Sequence, residues 1–446
     1  MVETNMEVNI MKDTHKRLVT GLLACSMLLS YAGCNASSGK KTTSAEKLED
    51  DPKAEAAFDY DEVRETKYDE DSYSTDYNKY AFNIMSVTAS GEGDDTNIMI
   101  SPASVMFAMD LCAAGANGDT LDQINGLFTE SGDPLEQQAF ASEMMDKING
   151  ADKIDFNCAN AIWNNSEIVG DKISQDYVDY VGDTFEAEIT AASFTSKTAD
   201  EINEWVSDQT DGMIEDLIEE LPPETAMVLV NAIAFEGEWE VAYEDYQVGD
   251  GEFTASSGDT QDVTMLYSTE GIYFETDKAT GFMKYYEGGD YAFIAILPAD
   301  ESISANEFVQ DFTGEDYIEF INSKTSEYDV YTMLPEFEND YKASLVGILQ
   351  EMGVEDAFIE GTADFTGISS QNMLYITDVI HQTHIEVDKN GTKAAAATAV
   401  LMEDAACEMP ADVPSVEVYC DRSFAYAIVD VETMNPIFIG TVNSVG

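Results

Sequence analysis

From about residue 78 to the C-terminus, apolar and polar positions follow helical and strand periods in alternation, without an internal repeat. Residues 103–114 are an almost wholly apolar run after Ser101-Pro102 and stop at Gly115, which predicts a buried helix with its start and stop signals. Residues 225–235 and 291–297 are unbroken apolar runs rich in β-branched and aromatic side chains, as expected of strands covered on both faces. Near residue 385 the pattern changes to strict alternation, with Ile385 and Val387 on one side. Long helices and buried strands interleave without βαβ regularity, so the expectation is one α+β domain over residues 78–446.

The N-terminal part follows other rules. Lys12, His15, Lys16 and Arg17 precede an apolar stretch from Leu18 to Gly33, and Cys34 follows. That layout predicts an export signal over residues 1–33, with Met11 as a candidate start, because the run is too short to span a bilayer comfortably. Ala32 and Gly33 before Cys34 resemble a bacterial lipoprotein processing site, although Tyr31 replaces the usual aliphatic residue. Cys34 is therefore the expected lipidation site and the bacterial cell surface the expected location; the alternative is a plain secretory peptide cut nearby and a secreted product. Residues 34–77 are rich in Ser, Lys, Asp, Glu and Ala and read as a disordered acidic tether. Asp69, Glu70 and Asp71 lack the turn glycine of a calcium loop.

Charge narrows the function. With 88 acidic and 21 basic residues the net charge is −67, which excludes a nucleic-acid partner. Residues 1–33 hold three acidic (Glu3, Glu7, Asp13) and three basic residues (Lys12, Lys16, Arg17), so the remainder keeps the whole excess. Cys112, Cys158, Cys407 and Cys420 are scattered and form no CxxC pair, arguing against metal, cofactor or redox chemistry. Beyond residue 33 the only histidines are His381 and His384, and strand alternation sends these to opposite faces. There is no nucleophile elbow, HExxH, phosphate loop or dinucleotide fingerprint, so no enzyme is expected.

The informative segment is 381–405. Taken alone, Ala394–Ala397 suits an alanine-rich helix. Laid down as a strand, however, Thr392, Ala394, Ala396, Thr398, Val400 and Met402 share one face that is free of charge until Asp404, while Lys393 and Glu403 face the other way. Such a segment suits the middle of a sheet, and Pro410 and Pro414 follow where a central strand could not hold them.

This segment resembles the hinge and reactive-site loop of a serpin, and further blocks in the same order extend the resemblance over nearly the whole chain from about residue 80. They include Ser101-Pro102-Ala103-Ser104 with Gly115-Ala116-Asn117-Gly118, Ala159-Asn160-Ala161-Ile162-Trp163, Ile202-Asn203-Glu204-Trp205-Val206 and Leu229-Val230-Asn231-Ala232 with Gly237-Glu238-Trp239. Leu334-Pro335-Glu336-Phe337, Ala363-Asp364-Phe365-Thr366-Gly367 and Asp421-Arg422-Ser423-Phe424 complete the pattern. The resemblance implies three β-sheets with eight to nine helices, an exposed reactive-site loop and a metastable monomer that traps serine proteases, less often cysteine proteases, by inserting its cut loop into the main sheet. It implies a hinge at Gly391, Thr392, Lys393, Ala394, Ala395, Ala396, Ala397, Thr398 and Ala399, a polar shutter of Ser101, Ser104, Asn231 and His381, and Trp239 near the point of insertion. Lys393 departs from the acidic residue usual at its position. Loop spacing puts the scissile bond at Ala405-Ala406, with Met402, Cys407 and Met409 as alternatives, and alanine there suits elastase-like proteases. The alternative function is a non-inhibitory serpin relative acting as a surface binding or structural protein.

The lipoprotein reading predicts that Cys34→Ala moves the expressed protein from the membrane to the soluble fraction. Fractionation that leaves the variant on the membrane contradicts it.

Overall fold

Helix α3 follows from its residues: Pro102 at the first helical position needs no N–H partner, the side chain of Ser101 accepts the Ser104 N–H, and a run of small and apolar residues lets the cylinder be buried along its whole length, Pro102–Gly115. The computed structural model describes residues 45–445 apart from 130–131, 152, 169, 211, 215, 223, 372–373 and 393–412. The helices around α3 in chain order are α1 (Tyr60–Val63), α2 (Glu70–Ser90), α4 (Gly118–Asn125), α5 (Pro134–Asn149), α6 (Gln175–Phe185) and α7 (Ser196–Gln209).

Three main sheets and a two-stranded ribbon accompany them. The largest, sheet A, runs β1 (Ala45–Glu46), β6 (Glu188–Ala192), β4 (Ile154–Asn165), β7 (Met227–Glu238), β16 (Gly391–Thr392), β15 (Asp378–Val387) and β14 (Phe337–Ser344). The second runs β10 (Tyr273–Glu275), β11 (Ala279–Tyr285), β12 (Tyr291–Pro298), β18 (Phe424–Asp430), β19 (Pro436–Val442) and β3 (Met99–Ile100). The third holds β17 (Ser415–Tyr419), β13 (Asp329–Pro335), β9 (Thr260–Glu270) and β8 (Val248–Thr254); β2 (Glu49–Asp50) and β5 (Lys172–Ile173) form the ribbon. This is the expected α+β architecture, and β7 and β12 are buried almost throughout, as their apolar runs require.

Sheet A lies between two cores. Leu229, Ile233 and Phe235 of β7 belong to the core that includes α3, whereas Val228, Val230 and Ala232 belong to the one that includes Ile202 and Val206 of α7. Below β16, β7 and β15 pair directly and in parallel, from Asp378 opposite Val228 to His384 opposite Ala234.

Residues 45–77 depart from the tether expectation. β1 extends sheet A beside β6, β2 pairs with β5, and Tyr60 donates its hydroxyl to Ala114 O at 2.7 Å and stacks on Tyr180 at 4.3 Å. Asp51, only 5% exposed, accepts from the backbone N–H and hydroxyl of Ser370 at 2.9 and 2.8 Å. The correction has a physical cause. Leu48, Phe58, Tyr60 and Tyr68 anchor this strap one by one, so their burial leaves no periodic trace. Residues 1–44, including the proposed signal and Cys34, lie outside the described residues.

Helix α3 carries a buried acid at Asp110, whose carboxyl accepts from the side-chain amides of Gln137 at 3.1 Å and Gln138 at 3.2 Å. Burial holds this carboxyl well above the ordinary carboxylate range. The native state thus binds the proton more tightly than the unfolded chain, and that contribution is present below about pH 4 and lost as pH rises through the folded-state pKa. Asp110→Asn is expected to stabilise the fold at pH 8 by on the order of 1–3 kcal/mol and so to raise the unfolding midpoint, with Gln137 Oε1, which has no partner among the described residues, accepting from the new amide. The gain should shrink as pH falls to 4. Thermal scans with no gain at pH 8, or one that grows on acidification, would contradict this.

Candidate functional site

The turn from β15 into β16 is built by a carboxylate. Asp388 Oδ1 accepts the N–H groups of Asn390 at 2.6 Å and Gly391 at 3.0 Å, and the Asp388 N–H donates to Gly391 O at 2.9 Å. This hairpin turns the chain back between β7 and β15. Thr392 lies opposite Val387 on one side and Gly237 on the other, antiparallel to both strands. Glycine is needed at 391 because an added Cβ would stand 2.2 Å from Gly237 O. Thr392 is fully buried, and its Oγ1 shares a hydrogen bond of 2.7 Å with the Tyr286 hydroxyl.

Aromatic and charged side chains line this end of the sheet. Trp239 stacks on Tyr286 with centroids 4.6 Å apart, donates from Nε1 to Asp388 O at 3.0 Å, and its backbone N–H donates to Asn390 O at 2.9 Å. Lys284, 4% exposed in its side chain, pairs with Glu270 at 3.0 Å and stands 5.5 and 4.3 Å from the Trp239 and Tyr243 rings. Paired burial is what makes this lysine tolerable in an apolar wall.

Farther down the seam lies a fully buried polar cluster of Ser101, Ser104, Asn231 and His381. The Ser101 N–H donates to His381 Nε2 at 3.1 Å, so the proton resides on Nδ1, which donates to Asn231 Oδ1 at 2.6 Å. Asn231 Nδ2 faces Asn160 Oδ1 at 2.9 Å and the carbonyl and hydroxyl of Ser104 at 2.8 and 2.6 Å. The Ser101 hydroxyl donates to Ile437 O at 2.7 Å. Burial pulls the imidazole down to about 3, so His381 is neutral at physiological pH. Because His381 and Asn231 are register partners, their hydrogen bond crosses the β7–β15 seam directly.

The structure therefore gathers Ser101, Ser104, Asn231 and His381 at one point, and Gly391, Thr392 and Trp239 at another on the same seam. Lys393 to Ala399 and the Ala405-Ala406 bond lie outside the described residues. Sequence reading gave no role to Tyr286, Lys284, Asp388 or Asn160. Tyr286 and Lys284 carry no local signal, while Asn160 stands in a quoted block and Asp388-Lys389-Asn390-Gly391 is a turn signature.

Three comparisons bear on this architecture. A family model described as serpin (serine protease inhibitor) matches residues 75–445. An uncharacterized serpin-like protein of Methanosarcina mazei is 32% identical over 431 residues, covering 94% of this chain and 96% of its own, and leukocyte elastase inhibitor A of Mus musculus is 29% identical over 363 residues, covering 78% and 93%. The crystal structure of the thermophilic serpin tengpin in its native state is similar at a TM-score of 0.76 and 35% identity, covering 87% of this chain and all of that one. On the family match over residues 75–445, and with sheet order and seam as described, the chain belongs to the serpin family, a family described as serine protease inhibitors.

Proposed function

We propose that this protein is an exported, lipid-anchored suicide-substrate inhibitor of elastase-like serine proteases, working as a monomer through insertion of its cut loop between β7 and β15. The observation that carries the reading is β16: two hinge residues already occupy the top of that seam, antiparallel to both neighbours. A strand continuing in this register meets a prepared slot. Position 394 falls between Ile385 and Phe235, 396 between Thr383 and Ile233, and 398 between His381 and Asn231, all of them buried residues on the inner face. The sequence supplies Ala394, Ala396 and Thr398 at these positions. Small side chains fit against Phe235, and the Thr398 hydroxyl would replace the hydrogen bond that separating His381 from Asn231 breaks.

The same register accounts for the unusual Lys393. In a strand continued in this register its outward position would fall between Glu386 and Glu236, so a lysine there would gain two carboxylate neighbours where an acid would be repelled. Alanine at 405 suits a small specificity pocket, and the likeness to an elastase inhibitor points the same way. The inhibitor adds no catalytic group; the protease forms the acyl-enzyme and the strand insertion traps it.

An elastase-like serine protease should form a complex that survives boiling in detergent, and the loop-cleaved protein should unfold at a higher midpoint, since Thr398, Val400 and Met402 each gain about 1–3 kcal/mol on burial. Thr398→Arg leaves the intact seam untouched but would bury an unpaired charge costing on the order of 3–5 kcal/mol after cleavage. It should be cut without trapping. Clean cleavage of the unmodified protein, an unchanged midpoint, or a stable complex with the variant would each overturn the proposal.

A further inference from the structure

The register that pairs β14 with β15 sets Asp340 opposite His384 and Glu338 opposite Glu386. Opposed residues, and residues two apart on one strand, share a face. Thr383, Ile385 and Val387 fill the inner face, so these four side chains project from the outer one. One ligand atom from each of Glu338, Asp340 and His384 lies within 4.8 Å of the other two, and His384 Nδ1 is 2.6 Å from Asp340 Oδ1.

We infer that Glu338, Asp340 and His384 bind a borderline divalent transition-metal ion such as zinc. The donor set decides the class of metal. Two carboxylates and an imidazole suit zinc, manganese, cobalt or nickel, whereas calcium takes six to eight oxygens and no imidazole. The geometry needs little change. Zinc–nitrogen and zinc–oxygen bonds near 2.0–2.1 Å in a tetrahedron hold neighbouring donors about 3.3 Å apart, so Asp340 has to retreat from Nδ1 by less than about 1 Å. The His384 side chain is 12% exposed and fixed against the sheet, while Asp340 at 61% is free to adjust.

Two further observations separate this group from an ordinary acidic patch. Lys342, the next outward residue on β14, turns away and donates to Asp216 O at 3.2 Å, and among the described residues Glu338 and Glu386 have no ion-pair partner. The chain has three histidines; His15 lies in residues 1–33, and both ring nitrogens of His381 are engaged in the core. His384 is thus the imidazole that an ion at the surface of the domain can reach. It stands on β15, directly beside the seam, and the ion ties that strand to the edge strand β14 while offsetting local carboxylate repulsion. The site is independent of protease inhibition.

The test is zinc titration of the untagged protein by calorimetry, with calcium at equal ionic strength as control for general screening of the acidic surface. One zinc per chain is expected, with a histidine-ring NMR signal assigned to His384 shifting and that of His381 unmoved. His384→Ala and Asp340→Asn should each weaken binding about tenfold or more, and thermal scans would establish that both variants fold. No zinc binding, an unmoved His384 signal, or undiminished affinity in His384→Ala overturns the assignment.

Discussion

The parallel pairing of β7 with β15 is the contact around which the molecule is organised. Seven residue pairs, Asp378–His384 against Val228–Ala234, hold the halves of sheet A together below β16. Parallel ladders are slightly weaker per residue than antiparallel ones. A strand running antiparallel to both would exchange one parallel interface for two antiparallel ones, and β16 already makes that exchange over its two residues. In the proposed insertion, the driving force and the place of entry would thus be properties of the same seam. Helix α7 covers its outer face and α3 its inner face, which keeps water from the ladder while it is closed.

What holds the seam shut is polar. A buried histidine without partners would be costly, but His381 has both ring nitrogens satisfied by a backbone N–H and an amide oxygen, and burial keeps it neutral. The cluster ties β15, β7, β4 and the first turn of α3 to one another, so separation of the strands breaks a network and not a single bond. Such a network is specific in what may replace it, since whatever enters has to offer hydrogen-bonding capacity at the same level. A threonine meets that demand where an alanine would leave polar groups unpaired.

The large negative charge is dealt with in two ways. Most carboxylates remain on the surface, where solvent screens them, and the few taken inside are hydrogen-bonded or paired: Asp110 by the amides of Gln137 and Gln138, Glu270 by Lys284, Asp51 by hydrogen bonds from Ser370. The outer face of β14 and β15 concentrates Glu338, Asp340 and Glu386 around one imidazole, which makes it a natural seat for a cation.

Much of the fold could be read from the residues. The cap, proline and glycine around α3, the apolar runs of β7 and β12 and the alternation of β15 are local patterns, and each element formed where its pattern lies. The ordered succession of motifs also identified the four residues of the polar cluster. Anchoring of residues 45–69 to the domain was not legible, since two-residue strands and isolated anchors have no period and the partner of Asp51 is 319 residues away. Nor was the grouping of Asp340 with His384, which depends on strand register, or the stacking of Tyr286 on Trp239, which depends on two sheets meeting. Periodicity and capping act over a few bonds and are written into neighbouring residues, whereas register and long-range contact are settled only when distant segments compete to bury apolar surface and pair their polar groups.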